Sequence, residues 1–308
     1  RSSDLIYSFM LMLVQVLPRP NLAAATGWFW AMYSIGIGVV GSYLPSLTIP
    51  MFGETGTLWF AIVWVGCGGL VAFFSLRNVP VDRSRVNLPL RDKMTELSRA
   101  GTILFTNRDI FYACLIRIIN TLSLFGFAIV MPLLFVDRLG FSISEWLQIW
   151  AVFFFVTIFT NIFWGITGEY IGWIRQVRWF GCLGMAISSL TFYYLPVYAG
   201  HNFAVALIPA IMLGIFVAAF VPMTAVFPTL EPHHKGAAVS IYNLSAGMSN
   251  FVAPAIASAL LPFFDIVGVV WAYTGLYIFA GVLTFIIKVP QPKRVRQGRS
   301  PEEVEQSV

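Results

Sequence analysis

The stretch Arg77–Asp109, RNVPVDRSRVNLPLRDKMTELSRAGTILFTNRD, is the one long segment of the chain not dominated by apolar residues. It holds seven of the 19 Lys and Arg residues. On either side the sequence is a succession of apolar runs separated by short polar gaps. Three runs precede it, at about 4–17, 23–48 and 57–77, and six follow, at about 110–136, 144–168, 177–197, 203–228, 237–262 and 268–288. A membrane helix needs about 20 apolar residues to cross about 30 Å of hydrocarbon. Eight of the nine runs are long enough. The run at 4–17 stops at Pro18 and Pro20 and reads as the tail of a longer helix.

Composition agrees. Of 308 residues, 58% are hydrophobic and 11% charged, where soluble domains run near a quarter charged. The expected fold class is an all-α integral membrane protein with nine transmembrane helices. The net charge of +5 does not argue for nucleic acid, because the basic residues are confined to the gaps. Cys67, Cys114 and Cys182 all fall inside apolar runs at unrelated spacing and read as small buried hydrophobes. His201, His233 and His234 have no Cys or acid at ligand spacing, so no metal site is expected. No phosphate loop, dinucleotide fingerprint, nucleophile elbow or zinc motif occurs. No cofactor and no enzymatic activity are therefore expected.

Charge also sets an expected orientation. Taking the gaps alternately, one set carries 16 Lys and Arg and the other carries Arg138, with Arg1 at the free end. Positively charged loops face the cytoplasm. The loop 78–109 and the tail 290–308 are therefore expected inside, in a cytoplasmic (inner) membrane. Within the loop, Asn87 and Pro89 can start a short helix. Leu90, Met94 and Leu97 would make its apolar face, and Gly101 would end it. This element is either an interfacial helix on the inner leaflet or a solvated linker.

Charges inside a span are costly, about 2.5–3.5 kcal/mol at mid-membrane on insertion scales. Arg117 is the one charge well inside a run. It lies about 10 Å past the start at Ile110, at 1.5 Å per residue. Asn120 and Thr121 follow three and four residues on, on the same face. They form either a solute-binding face or the surroundings of an arginine snorkelling to the interface. In the eighth run, Asn243, Gly247, Asn250 and Pro254 make one stripe, while Tyr242, Ser245 and Ser249 make a neighbouring one. Such polar faces line a cavity or bond neighbouring helices. Asn161, with Thr157, is a further candidate. Ser34, Gly38, Gly41 and Pro45 make a small-residue stripe expected to pack closely on another helix. Pro209, Gly214, Pro222 and Pro228 suggest a kinked seventh run.

Three spans, a basic loop and six spans resemble the last nine helices of a twelve-helix major facilitator transporter. After the fifth run, Gly165, Gly168, Glu169, Gly172, Arg175 and Arg178 resemble that family's cytoplasmic motif, with Glu169 where Asp is usual and the basic residues slightly late. The resemblance implies a tight glycine turn and an acid–arginine latch between helix ends in one state of a transport cycle. LAAATGWFWAMYSIG (22–36) and KGAAVSIYNLSAG (235–247) enter a helix alike, as parallel repeats do. GWFWAMYSIGIGVVGSYLPS and RIINTLSLFGFAIVMPLLFVDRLG narrow the likeness to the polyol permease branch, which includes ribitol, D-arabinitol and 2-oxoglutarate permeases.

The resemblance implies residues 1–77 as the last three helices of a first half, 78–109 as the linker, and 110–289 as a complete second half. It implies secondary transport of a small solute by alternating access. A polyol is the expected cargo and an organic acid the alternative. Arg117, Asn120, Thr121, Asn161, Asn243 and Asn250 are the expected solute contacts. Protons are the candidate coupling ion, membrane lipid the surroundings, and a monomer the expected state. Missing front helices, or a remnant that no longer transports, are also expectations at this stage.

Overall fold

Residues 19–76 and 101–289 are described by the computed structural model. Among them the protein is helical throughout, with no strand. In chain order the helices are α1 Arg19–Ile35, α2 Leu44–Leu76, α3 Arg108–Asn120, α4 Leu122–Pro132 and α5 Ile143–Ile171. They continue with α6 Trp173–Gln176, α7 Gly184–Ala199, α8 Phe203–Val217, α9 Met223–Leu230 and α10 Lys235–Leu283. The wider π winding bridges three joints, at Gly36–Tyr43, Leu133–Arg138 and Val177–Leu183.

Among the described residues, six continuous stretches are long and apolar enough to cross a membrane. Two of them are too long for one crossing. The α10 helix has 49 residues, or roughly 74 Å at 1.5 Å per residue, against about 30 Å of hydrocarbon. It turns at Asp265, the one non-glycine residue with positive φ among those described (φ 57°). Beyond the turn the chain folds back, and the Tyr273 hydroxyl donates to the Ala253 carbonyl at 2.8 Å. The sequence runs at 237–262 and 268–288 are therefore the two arms of α10. In the same way α2 breaks at Gly53 (φ 70°, ψ 179°), which separates the runs at 23–48 and 57–77. The expected short helix at 4–17 and the amphipathic element at 87–99 lie outside the described residues. Gly101 does not end a helix as expected, since 101–106 are helical. Asn107 instead starts the next helix, its side chain accepting from the N–H groups of Asp109 and Ile110.

Inside a bilayer, lipid tails compete with side chains on equal terms, so shape complementarity and polar contacts hold helices together. Both are visible here. Phe192 of α7 is fully buried and meets Phe127, Phe135 and Trp150 at 5.6, 5.8 and 6.2 Å between ring centroids. This knot joins α4, α5 and α7, each aromatic pair adding about 0.5–1.5 kcal/mol beyond its area. Polar pins supplement it. Ser245 and Ser249 of α10 donate to Cys114 Sγ and to the Ile118 carbonyl of α3 at 3.1 and 2.8 Å. By contrast, the arm of α2 beyond Gly53 is exposed over residues 58–71. Cys67 sits on that arm and is exposed, which corrects the expectation of a buried cysteine. Cys114 and Cys182 are buried.

The α1 helix lies along α5. Gly27 and Gly38 make that approach possible. A Cβ on Gly27 would stand 2.6 Å from the Asn161 carbonyl oxygen, and one on Gly38 would overlap Phe154. The expected stripe of Ser34, Gly38, Gly41 and Pro45 is corrected in its upper half. The buried positions are Ser34, Gly38, Ser42 and Ser46, while Gly41 is exposed. The reason is the π winding: a turn closed by i→i+5 bonds needs more residues than 3.6, so the inward face advances by four each time. The Ser42 hydroxyl donates to Ile37, five residues back, at 3.2 Å.

Candidate functional site

The sequence places four polar residues on two separate helices, and the fold brings them to one cavity. Arg117, Asn120 and Thr121 come from the end of α3, and Asn161 from α5. Thr157, Ser34, Trp30, Tyr33 and Tyr242 complete its polar and aromatic wall. Its volume is about 70 Å³, well below the roughly 300 Å³ at which small-molecule sites begin. A cargo larger than a few waters therefore requires the surrounding helices to move apart.

Arg117 is 4% exposed. Its guanidinium lies over the Tyr242 ring at 4.8 Å and near the Trp30 ring at 6.0 Å. A desolvated cation over an aromatic face recovers about 2 kcal/mol, which offsets much of the insertion cost of the charge. The aromatic faces meet the charge, and the guanidinium also hydrogen-bonds the Tyr242 side chain. Nε and Nη1 of Arg117 are buried and have no hydrogen-bond partner. Beside them, Asn120 Oδ1 and Thr121 Oγ1 are also buried without a partner. A buried polar atom left unsatisfied costs about 1–3 kcal/mol. Two donors, an acceptor and a hydroxyl are in this condition around one cavity. Snorkelling of Arg117 to an interface is not what the structure shows, because the side chain is buried among helices.

The break between α3 and α4 falls at Thr121 (φ −104°, ψ 16°). Tyr277 closes it, donating to the Asn120 carbonyl and accepting from the Ser123 N–H, each at 3.1 Å. Across the cavity, Asn161 Nδ2 donates to Ser34 Oγ at 3.3 Å, and Ser34 donates in turn to the Trp30 carbonyl at 2.9 Å. A polar chain thus ties α5 to α1 at the cavity wall. Farther along α5, Ser144 Oγ donates to the Ser46 carbonyl at the start of α2 at 2.8 Å.

The seventh sequence run is kinked, as its prolines suggest. It divides into α8 and α9 around a tight turn at Ala218–Phe220, and Val217, Ala218, Phe220 and Val221 line the cavity. Gln176, fully buried, donates to the Ala219 and Trp164 carbonyls at 3.0 and 3.2 Å. It supplies the turn with a donor that a continuous helix would have provided. Nothing in the sequence marked Gln176, a lone amide between two arginines.

The remaining expected residues lie elsewhere. Asn243 is half-buried, Asn250 is exposed, and neither lines the cavity. The neighbouring stripe of Tyr242, Ser245 and Ser249 is the buried one. In the Gly165–Arg178 motif, Gly172 makes the expected turn with φ 100°, and Gly165 and Gly168 are buried in α5. The acid–arginine latch is not closed. Glu169 Oε1 is buried without a hydrogen bond, Arg175 is exposed, and Arg178 is bonded to Thr284 instead. Two histidines pair with acids, His201 with Glu145 at 3.4 Å and His234 with Glu231 at 3.0 Å. No group of three metal ligands occurs among the described residues.

A profile of the family described as Major Facilitator Superfamily matches residues 113–307. The D-arabinitol transporter of Klebsiella pneumoniae is 62% identical over 287 residues, 93% of this chain and 68% of that protein. The ribitol transporter of the same organism is 61% identical, over 93% of this chain and 67% of that protein. The alpha-ketoglutarate permease of Bacillus subtilis (strain 168) is 39% identical, over 92% of this chain and 65% of that protein. The chain thus spans about two thirds of the length of these relatives.

Proposed function

The chain belongs to the major facilitator superfamily, and from that premise we propose that it transports a sugar alcohol by alternating access. It is a multi-pass membrane protein, and the proposed activity is secondary transport with no chemical conversion of the cargo. The observation that carries the cargo reading is the set of idle atoms around Arg117: two donors, an amide oxygen and a hydroxyl facing one cavity. A polyol presents hydroxyls that each donate and accept, and so can satisfy all four. The names of the two relatives above 60% identity point the same way.

The proposed architecture has nine crossings, 1–77 in one half and 110–289 in the other, linked by 78–109 with a tail at 290–308. On the charge bias, linker and tail are cytoplasmic. In the proposed cycle the α1–α5 seam parts and the broken α8–α9 segment flexes, enlarging a cavity that is contracted in this structure. Protons are the proposed coupling ion. The protein works as a monomer in this proposal.

One observation favours a second reading, an organic-acid cargo: among the described residues no carboxylate lines the cavity beside Arg117. A competition uptake assay separates the two. In cells expressing the protein, excess unlabelled ribitol and D-arabinitol should suppress uptake of labelled D-arabinitol, and 2-oxoglutarate should not. Suppression by 2-oxoglutarate with no effect of ribitol would reverse the assignment. Collapse of uptake on adding a protonophore tests the coupling ion separately.

A further inference from the structure

A second apolar cavity, of about 200 Å³, lies away from the central site, between the helical stretch around Cys182 and the last arm of α10. Leu183, Ile278 and Val282 line it and are exposed, so it opens towards the space that lipid fills. Gly281 forms part of its floor, where a Cβ would just touch Cys182 at 3.4 Å. At its edge stands Arg178. The guanidinium is fixed three ways: Nε donates to Thr284 Oγ1 and Nη2 to the Thr284 carbonyl, both at 2.9 Å, and the group lies 3.6 Å over the Phe285 ring. Its Nη1 makes no hydrogen bond among the described residues. Trp179, 53% exposed, flanks it, and tryptophan is a side chain favoured at headgroup level. Arg175, one turn earlier, is exposed.

We propose that this groove binds one anionic phospholipid, its phosphate on Arg178 and one acyl chain lying along Leu183, Ile278, Gly281 and Val282. Three features argue for this occupant over any other apolar one. The groove is apolar along its length and cationic at one end, which is the polarity of an anionic lipid. The guanidinium is held in place before any ligand arrives, so little ordering entropy is lost on binding. Basic pockets between membrane helices are the recurrent form of headgroup recognition. The site does not depend on the identity of the cargo, and the central cavity shares none of its residues.

The test uses the full chain purified in a zwitterionic detergent, with phosphatidylglycerol, phosphatidylcholine or glycerol-3-phosphate added in turn. Retained lipid is counted by native mass spectrometry and the melting temperature is read in parallel. Phosphatidylglycerol should be retained at one molecule per chain and should raise the melting temperature. Phosphatidylcholine should do so about fivefold more weakly, the factor expected of one basic contact near a headgroup. Arg178→Gln should lose the preference for phosphatidylglycerol, and Arg178→Lys should keep part of it. Gly281→Leu leaves the charge in place and fills the groove, so it should lose retention of both lipids. Equal retention of the two lipids by the unmodified chain would overturn the proposal. So would undiminished retention by Gly281→Leu, or an equal shift with glycerol-3-phosphate, which would mean a bare anion site.

Discussion

Arg117 and Arg138 are guanidiniums of the same membrane-crossing stretch, the first well inside it and the second at its end, and the structure treats them in opposite ways. Arg138 is half exposed and makes a two-pronged pair with Asp265, Nη1 to Oδ2 and Nη2 to Oδ1, both at 2.6 Å. That pair ties the end of the α3–α4 stretch to the turn of α10. Arg117 is buried, has no carboxylate along its cavity among the described residues, and rests on aromatic faces with two donors idle. An arginine whose donors are used holds structure. One whose charge is satisfied while its donors are idle is available to a ligand. Arg178 is intermediate, with two donors used and one edge free.

The largest effect should come from breaking the idle member. Arg117→Ala in a transporting protein should weaken cargo affinity about tenfold to a hundredfold, from the about 1.5–3 kcal/mol carried by hydrogen bonds to a charged group. Arg117→Lys should recover little, because a lysine cannot present the planar edge of a guanidinium. Uptake kinetics settle this, and an unchanged KM would remove Arg117 from the site.

Next in size is the seam that carries the other wall. Gly38→Leu drives a side chain into Phe154 and should cost about 1–3 kcal/mol of stability by overpacking, seen as a lower melting temperature. Gly41→Leu, three residues on but exposed in the structure, should cost much less. Equal losses at the two positions would contradict the π register. Asn161→Ala removes the bond to Ser34 and should raise KM by up to about tenfold, from about 0.5–1.5 kcal/mol.

The smallest effect belongs to the spent arginine. The Arg138 hydrogen bonds hold the Asp265 carboxyl below the usual carboxylate range, in a turn outside the membrane-spanning arms. A depressed carboxyl stabilises the fold fully above its unfolded pKa, about 3.9, and the contribution fades as pH falls through the folded value. For an exposed pair it amounts to about 0.2–1 kcal/mol. Asp265→Asn should therefore melt slightly below the unmodified protein at pH 7, and the gap should close on acidification. A gap that widened in acid would reverse the assignment.

Much of this was open to a reader of the sequence. Hydropathy gives the crossings because a bilayer admits only helices whose backbone groups are satisfied within the segment. Arg117 was visible because charge is so costly there that a single one stands out. Asn120 and Thr121 followed from helical spacing. Two things were not visible. The stripe on the first long helix was read with a period of 3.6, and the π winding moved its inward face from Gly41 and Pro45 to Ser42 and Ser46. On α10, two polar stripes lie side by side, and hydrogen-bonding capacity alone favours the asparagine one. The fold turned Tyr242, Ser245 and Ser249 inward instead.

The sequence by itself determined that the chain is built of membrane helices and that one of them carries a cation well inside its apolar run. Those properties are set by the solvent, which acts on every segment separately. Only the tertiary structure decided that Asn161 of α5 and Tyr242 of α10 meet Arg117 around one cavity, and that Gln176 supports the turn beside it. Which faces meet depends on small residues, helix breaks and winding acting between segments, and no single segment encodes that on its own.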